Sequence, residues 1–218
     1  MKYDIAVAMS TYFDPYGYVT THSYRRGLFH QALYSLRRVD WGDKKAVLVL
    51  RDDHSGISPN AEELRHLGID LDYKVRPTHS EEINANYWEC IWDAAQVGEW
   101  VLMMDDDGLA CSDIIKRLWG LVELYPDSAV YGSYNSHLWP TVETKVGHVL
   151  KSYTTELGML FRSADLTYKG TSLLATILNG RPQQDTYPCL SPSAMQHQGA
   201  YGLNNGNHDD YDPDFIYY

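Results

Sequence analysis

Three adjacent carboxylates, Asp105-Asp106-Asp107, follow directly on the apolar run Trp100-Val101-Leu102-Met103-Met104 and are closed by Gly108. At the edge of a buried strand three like charges repel one another, and each loses hydration unless a cation or hydrogen-bond donors compensate. A hard divalent cation does this. Mg2+ or Mn2+ takes oxygen ligands, one or two of them carboxylates, and shares its other positions with water and a ligand's phosphates. The bland alternative for Asp-Asp-Asp-Gly is a solvated turn that caps the next helix. Two more polar groups end apolar runs: Ser10-Thr11-Tyr12 after 5–9, and Asp52-Asp53 after 46–50.

The elements that must position these groups alternate along the chain. Apolar runs at 5–9, 46–50 and 100–104 have the length and composition of buried strands, and 71–75 alternates like another. Between them, Ser23 opens a helix carrying Leu28, Phe29, Ala32, Leu33 and Leu36 on one face. Ser58-Pro59 with Glu62 reads as the start of a second helix that stops at Gly68. Ser80-Glu81-Glu82 opens a third, with Ile83, Tyr87, Trp88, Ile91 and Ala95 inward and Gly98 at its end. Ser112 caps a fourth, and 129–134 returns as a strand. This order predicts an α/β fold with an open, mostly parallel sheet covered by helices on both faces. Beyond it, 135–155 reads as a functional loop or irregular hairpin, 157–161 as a strand, 172–178 as a short helix and 193–196 as a short strand. In such sheets ligands sit beyond the carboxyl ends of the strands, so the three polar groups belong together.

Composition narrows the function. The 218 residues fit one domain, here 1–199, followed by an acidic, Tyr-rich tail or lid at 200–218. The formal net charge of -11 repels polyanions as a whole-molecule field, and gives no general pull toward nucleic acid. No run approaches the roughly 18 apolar residues of a membrane span, so the chain reads as a cytoplasmic protein without a membrane anchor. Three cysteines, Cys90, Cys111 and Cys189, share no metal-type spacing. Eighteen Tyr and six Trp against four Phe favour rings with a polar handle, suited to half-wet surfaces and to stacking on sugars or bases. His22, His79 and His148 have no motif around them and read as surface residues.

The order strand, carboxylate cluster, helix and return strand resembles glycosyltransferases of the GT-A fold, specifically the inverting, family-2-like enzymes. Asp52-Asp53-His54-Ser55 stands where that family has Asp-Asp-Gly-Ser, with His54 in place of Gly, and Asp105-Asp106-Asp107 stands as its Asp-x-Asp. Asn86 is similar to the family's Asn in the helix before that strand, and Leu157-Gly158-Met159 to its acceptor-side Gly strand. Pro192-Ser193-Ala194-Met195-Gln196-His197-Gln198-Gly199 is similar to the Pro-Ser-x-x-Gln-His-x-Gly ending of several such enzymes. The resemblance implies that Asp52 or Asp53 holds the nucleotide base, with Ser10, Thr11, Tyr12 and Asn86 around the donor. It implies that Asp105 and Asp107 hold Mn2+ or Mg2+ on the diphosphate, and that Asp106 faces the ribose or donor sugar. His197 would be a third metal ligand or a diphosphate contact, and Asp185, in Gln184-Asp185 where many members have Glu-Asp, the general base. Arg25 and Arg26, at the opening of the first helix, could contact a phosphate.

The expectation is a metal-dependent transfer of a sugar from a nucleotide sugar, a UDP-sugar by resemblance, to an acceptor hydroxyl with inversion. The acceptor is open: a protein, a soluble glycan, a small molecule or a modified DNA base. Sugar nucleotidyltransferases share the strand and helix order, but they need a Gly-rich basic loop after the first strand. Residues 10–17 carry no Lys or Arg. A non-catalytic nucleotide-sugar-binding module is the other alternative, and Gln184 favours it.

Overall fold

A computed structural model describes residues 2–12, 19–55, 59, 62, 64–80, 85–166, 177, 184–198 and 215, with the side chains of 19–24 excepted. The expected opening of the Ser80 helix at 81–84, the helix expected at 172–178 and the 200–218 tail lie outside these residues, apart from Ile177 and Phe215.

The described chain runs β1 (Tyr3–Thr11), α1 (Val19–Arg37), β2 (Ala46–Asp52), β3 (Asp70–Val75), α2 (Ala85–Val97), β4 (Gly98–Met103), β5 (Gly108–Ala110) and α3 (Ile114–Leu124). It continues as β6 (Val130–Gly132), β7 (Thr141–Lys145), β8 (His148–Lys151), β9 (Met159–Arg162), β10 (Tyr187–Leu190) and β11 (Met195–His197). Nine strands form one sheet in the order β3-β2-β1-β4-β9-β6-β10-β8-β7, and β11 pairs with β5 in a second small sheet. The β3-β2-β1-β4 half is parallel, as the βα alternation requires, and β6 pairs parallel with β10. Antiparallel β9 is inserted between β4 and β6, and the β7-β8 hairpin closes the far edge, so the sheet is mixed. That hairpin occupies the stretch whose apolar periodicity fades after residue 135.

The apolar runs of β1, β2 and β4 are continuous because both faces of the sheet are covered. Ile5, Val7, Met9, Leu48, Leu50 and Leu102 point to one face, where Phe29, Leu33 and Leu36 of α1 and Ile114, Leu118 and Leu121 of α3 close over them. Phe215 packs half-buried against the same cluster. Ala6, Ala8, Val47, Val49, Val101 and Met103 point to the other, against Trp88, Ile91, Ala94 and Ala95 of α2. Gly98 opens β4 hard against β1: a Cβ there would stand 2.7 Å from the Ala6 Cβ.

Two expected details differ. Residues 62 and 64–66 form turns, in place of the helix read from Ser58 to Gly68, and His66 takes a φ of 62°. Leu64 and Leu67 are buried in the core, while 58, 60, 61 and 63 lie outside the described residues. At α3 the cap position belongs to Asp113, not Ser112, and its side chain makes no capping hydrogen bond.

Candidate active site

The parallel strands deliver Thr11, Asp52-Asp53 and Asp105-Asp106-Asp107 to one edge of the sheet. Thr11 is the partner of Asp52 across β1 and β2, and the main-chain N–H of Met104 donates to Ala8 O at 3.0 Å, carrying the β1-β4 pairing to the start of the acidic triplet. The triplet turns sharply, with Gly108 N–H donating to Asp105 O at 3.0 Å, and its next residues form β5. β11 then pairs antiparallel with β5, setting His197 across from Gly108. This pairing, between segments almost ninety residues apart, carries the imidazole to the carboxylates.

One donor atom from each of Asp105, Asp107 and His197 falls within 4.8 Å of the others. His197 Nε2 is 3.2 Å from Asp107 Oδ1, an oxygen shut off from solvent that accepts no hydrogen bond. Burial, reinforced by the charges of Asp107, Asp106 and Glu156, pushes the Asp105 carboxyl up to about 8, against a smaller opposing pull from Arg25. Burial also raises the Asp107 carboxyl, which His197 pulls back down. An enclosed oxygen without a donor, an imidazole nitrogen beside it and a second carboxyl that resists ionisation fit a divalent cation. The two carboxylates supply the oxygen ligands that Mn2+ and Mg2+ share, and the imidazole adds a nitrogen.

Asp106 points elsewhere. Its Oδ2 accepts from Thr11 Oγ1 at 2.7 Å, and Arg25 Nη2 lies 3.1 Å from Oδ1 and 3.3 Å from Oδ2. The residue expected to face the ribose or donor sugar therefore ties the turn to β1 and α1. Thr11 and Arg25, expected at the donor and its phosphates, are engaged by that carboxylate.

At the end of β2 the two aspartates divide. Asp52 is fully buried, its oxygens taken by Ser55 N–H at 2.9 Å and the Tyr73 hydroxyl at 3.3 Å, which leaves it a structural residue of the turn. Asp53 is buried within a polar cluster: His79 Nδ1 lies 2.8 Å from Oδ2, Arg76 Nε 3.3 Å from Oδ1, and Ser80 N–H donates to Oδ1 at 3.1 Å. His79, expected as an isolated surface histidine, also stacks on Tyr12, with ring centroids 4.3 Å apart and planes at 21°. His54 has a φ of 59°, in the left-handed region that favours glycine, which accounts for the Gly of the resembling motif. Asn86, at the start of α2, donates through Nδ2 to Arg51 O at 2.9 Å, and its Oδ1 is buried without a donor.

Two residues at this edge escaped the sequence reading. Glu156 precedes the turn into β9, where Gly158 N–H donates to Met103 O, and it accepts from the Tyr87 hydroxyl of α2. Burial, with the Glu156 charge, holds the Tyr87 phenol well above its usual range. Neither residue belongs to a motif, and only the return of β9 beside β4 joins them to the acidic triplet.

Asp185 lies elsewhere. Cys189 of β10 is level with Gly132 of β6, which pairs with Met159 of β9, and the β9-β4 register brings that row to Met103. Asp185 precedes Cys189 by four residues toward the amino edge, and Asp105 follows Met103 by two toward the carboxyl edge, so about 20 Å of strand rise separates them. Gln184 confirms the placement: its amide accepts from Ala129 N–H at 3.0 Å and donates to Asp127 O at 3.2 Å, on the loop that leads into β6. Asp185 is exposed there, which removes it from the candidate site.

No protein-family model and no curated protein matches the sequence. Solved structures match at low identity. TarS 1–349 of S. aureus, a GT-A-type glycosyltransferase, in complex with UDP-GlcNAc superposes with a TM-score of 0.61 at 17% identity over 91% of this chain and 60% of that one. The mannosyltransferase PcManGT of Pyrobaculum calidifontis, in complex with GDP-Man and Mn2+, gives 0.51 at 14% identity over 76% of this chain and 46% of its own. The chain has the GT-A fold. It spans about three fifths of the TarS fragment and less than half of the mannosyltransferase. Among the described residues, no helix is long and apolar enough to cross a membrane.

Proposed function

We propose that the chain is a metal-dependent glycosyltransferase that moves a sugar from a nucleotide sugar to an acceptor hydroxyl. The observation that carries this reading is the Asp105, Asp107 and His197 group at the carboxyl edge of a GT-A sheet. These three residues would hold the cation, Mn2+ or Mg2+, and the mannosyltransferase neighbour solved with Mn2+ supports the former. When bound, the cation neutralises charge on the departing diphosphate. The neighbours crystallised with UDP-GlcNAc, and with GDP-Man and Mn2+, support the donor class.

The protein's own part is to bind and orient. Asp53, with Tyr12 and His79 beside it, forms the base end of the site, where a carboxylate oxygen accepts from the imide N–H of uracil in a UDP-sugar or from the N–H groups of guanine in a GDP-sugar. Asp106, gripped by Thr11 and Arg25, fixes the turn that aims Asp105 and Asp107. Transfer with inversion needs a base that takes the acceptor's proton as the new bond forms. Glu156, oriented by Tyr87, is assigned that role in place of Asp185. The reading of a binding module predicts no turnover, and the sugar nucleotidyltransferase reading predicts release of pyrophosphate from a nucleoside triphosphate.

Incubating UDP-GlcNAc, UDP-Glc, UDP-Gal and GDP-Man with the protein and Mn2+, with water as default acceptor, tests the proposal. Release of a nucleoside diphosphate that stops on chelation is expected, and NMR of the freed sugar should show the inverted anomer first. Absence of turnover with all four donors would contradict it, and the retained anomer would contradict inversion.

A further inference from the structure

Gln198 follows His197 and is clamped by its main chain to the metal-site turn, its N–H donating to Asp107 O at 3.1 Å. Its side-chain Nε2 is enclosed with no acceptor, and Asp107 Oδ1, on the residue to which it is clamped, is enclosed with only the His197 imidazole nitrogen 3.2 Å away and no hydrogen bond made. A buried amide N–H2 without a partner has given up water for nothing, and a buried carboxylate oxygen beside an imidazole still lacks a full counter-charge. These are complementary groups on two residues joined by a main-chain hydrogen bond, and they are not joined to each other. A ligand that brings both a cation and an anionic oxygen satisfies the two at once.

Among the described residues, two arginines at this edge are already engaged. Arg25 is paired with Asp106, and Arg76 with Asp53 and Glu89. A diphosphate has only acceptors, so oxygens that the metal does not take need neutral donors. We infer that the Gln198 side-chain amide donates to an oxygen of the metal-bound nucleoside diphosphate, making it a binding residue for the diphosphate rather than a metal ligand. This inference rests on the nucleotide-sugar reading and adds to it a residue outside the Asp-x-Asp and His set. A carboxamide has a use here that an ammonium lacks: it meets the diphosphate without being drawn onto the neighbouring carboxylates when the site is empty.

Gln198→Leu tests it by calorimetry in two titrations, Mn2+ alone and then UDP or GDP, whichever binds the wild type, in saturating Mn2+. Affinity for Mn2+ alone should stay within about twofold, while affinity for the nucleoside diphosphate should fall by about tenfold or more, the loss of one hydrogen bond to a charged group. The apo thermal midpoint should hold or rise, because the substitution removes an unsatisfied amide, and a structural residue would lower it. If Leu disturbs folding, Gln198→Met has the length and lacks the donor, and the same split is expected. Unchanged nucleotide affinity, or a matching loss of Mn2+ affinity, would overturn the assignment. A wild type that binds Mn2+ but neither nucleotide would instead overturn the nucleotide-sugar reading beneath it.

Discussion

Asp105→Asn should stabilise the metal-free protein at pH 8 while destroying its response to Mn2+. Burial among Asp106, Asp107 and Glu156 pushes the Asp105 carboxyl to about 8, whereas in the unfolded chain it titrates near 3.9. Between those values the folded protein holds a proton that the unfolded chain releases. Stability then falls as pH rises, by up to about 1.4 kcal/mol per unit. Across the whole window the ceiling is about 5 kcal/mol, and water entry on ionisation reduces the realised value. Asparagine does not titrate, so the variant should lose this fall and exceed the wild type at pH 8 by about 2 kcal/mol. Urea unfolding in chelator at pH 5, 6, 7 and 8, compared between the two proteins, isolates the difference, since all other groups are shared. Adding Mn2+ should flatten the wild-type slope and leave the variant unmoved. A variant less stable than wild type at pH 8, or a wild type whose difference from the variant does not change with pH, would refute the reasoning.

Once a turnover assay is in hand, Glu156→Gln should lower the rate by roughly 10²- to 10⁴-fold with donor affinity held, while Asp185→Asn should stay near the wild-type rate. The reverse pattern would return the base to Asp185. Gly158→Ala should cost about 2 to 4 kcal/mol in urea unfolding, because φ is 69° there and a Cβ would stand 2.0 Å from the Ser133 Oγ. A loss under about 0.5 kcal/mol would show that the turn has room to shift. Burial pushes the Cys90 thiol up to about 12, so native protein at pH 8 should resist iodoacetamide at Cys90 until it is unfolded. Labelling within minutes, read by mass spectrometry, would contradict this.

The strands of the parallel half were legible because burial on both faces forces runs such as Ile5–Met9 and Ala46–Leu50 to be apolar throughout. The acidic triplet was legible because it interrupts such a run abruptly. What stayed hidden depends on pairing. β5 is three residues long, and β10 is a four-residue strand containing Pro188; neither has a period to read. With β10 unseen, the spacing of Asp185 before His197 carries no warning that a whole strand separates them, running from the amino edge to the carboxyl edge. His79 and Glu156 have ordinary sequence surroundings and gain a role only from what the sheet sets beside them, Asp53 in one case and the Asp105 turn in the other. Asp106 could not be told from its neighbours until Thr11 and Arg25 were seen to hold it.

Whether Asp105, Asp107 and His197 bind a cation which in turn binds a nucleoside diphosphate is decided by calorimetry of UDP and GDP with Mn2+ present and with the metal chelated, on the wild type and on Asp107→Asn. Micromolar-range binding of at least one nucleotide to the wild type in Mn2+ is expected, weakened at least about tenfold by chelation and by the substitution, with the variant still cooperatively folded. Equal affinity with and without the metal, or unchanged affinity in Asp107→Asn, would contradict it.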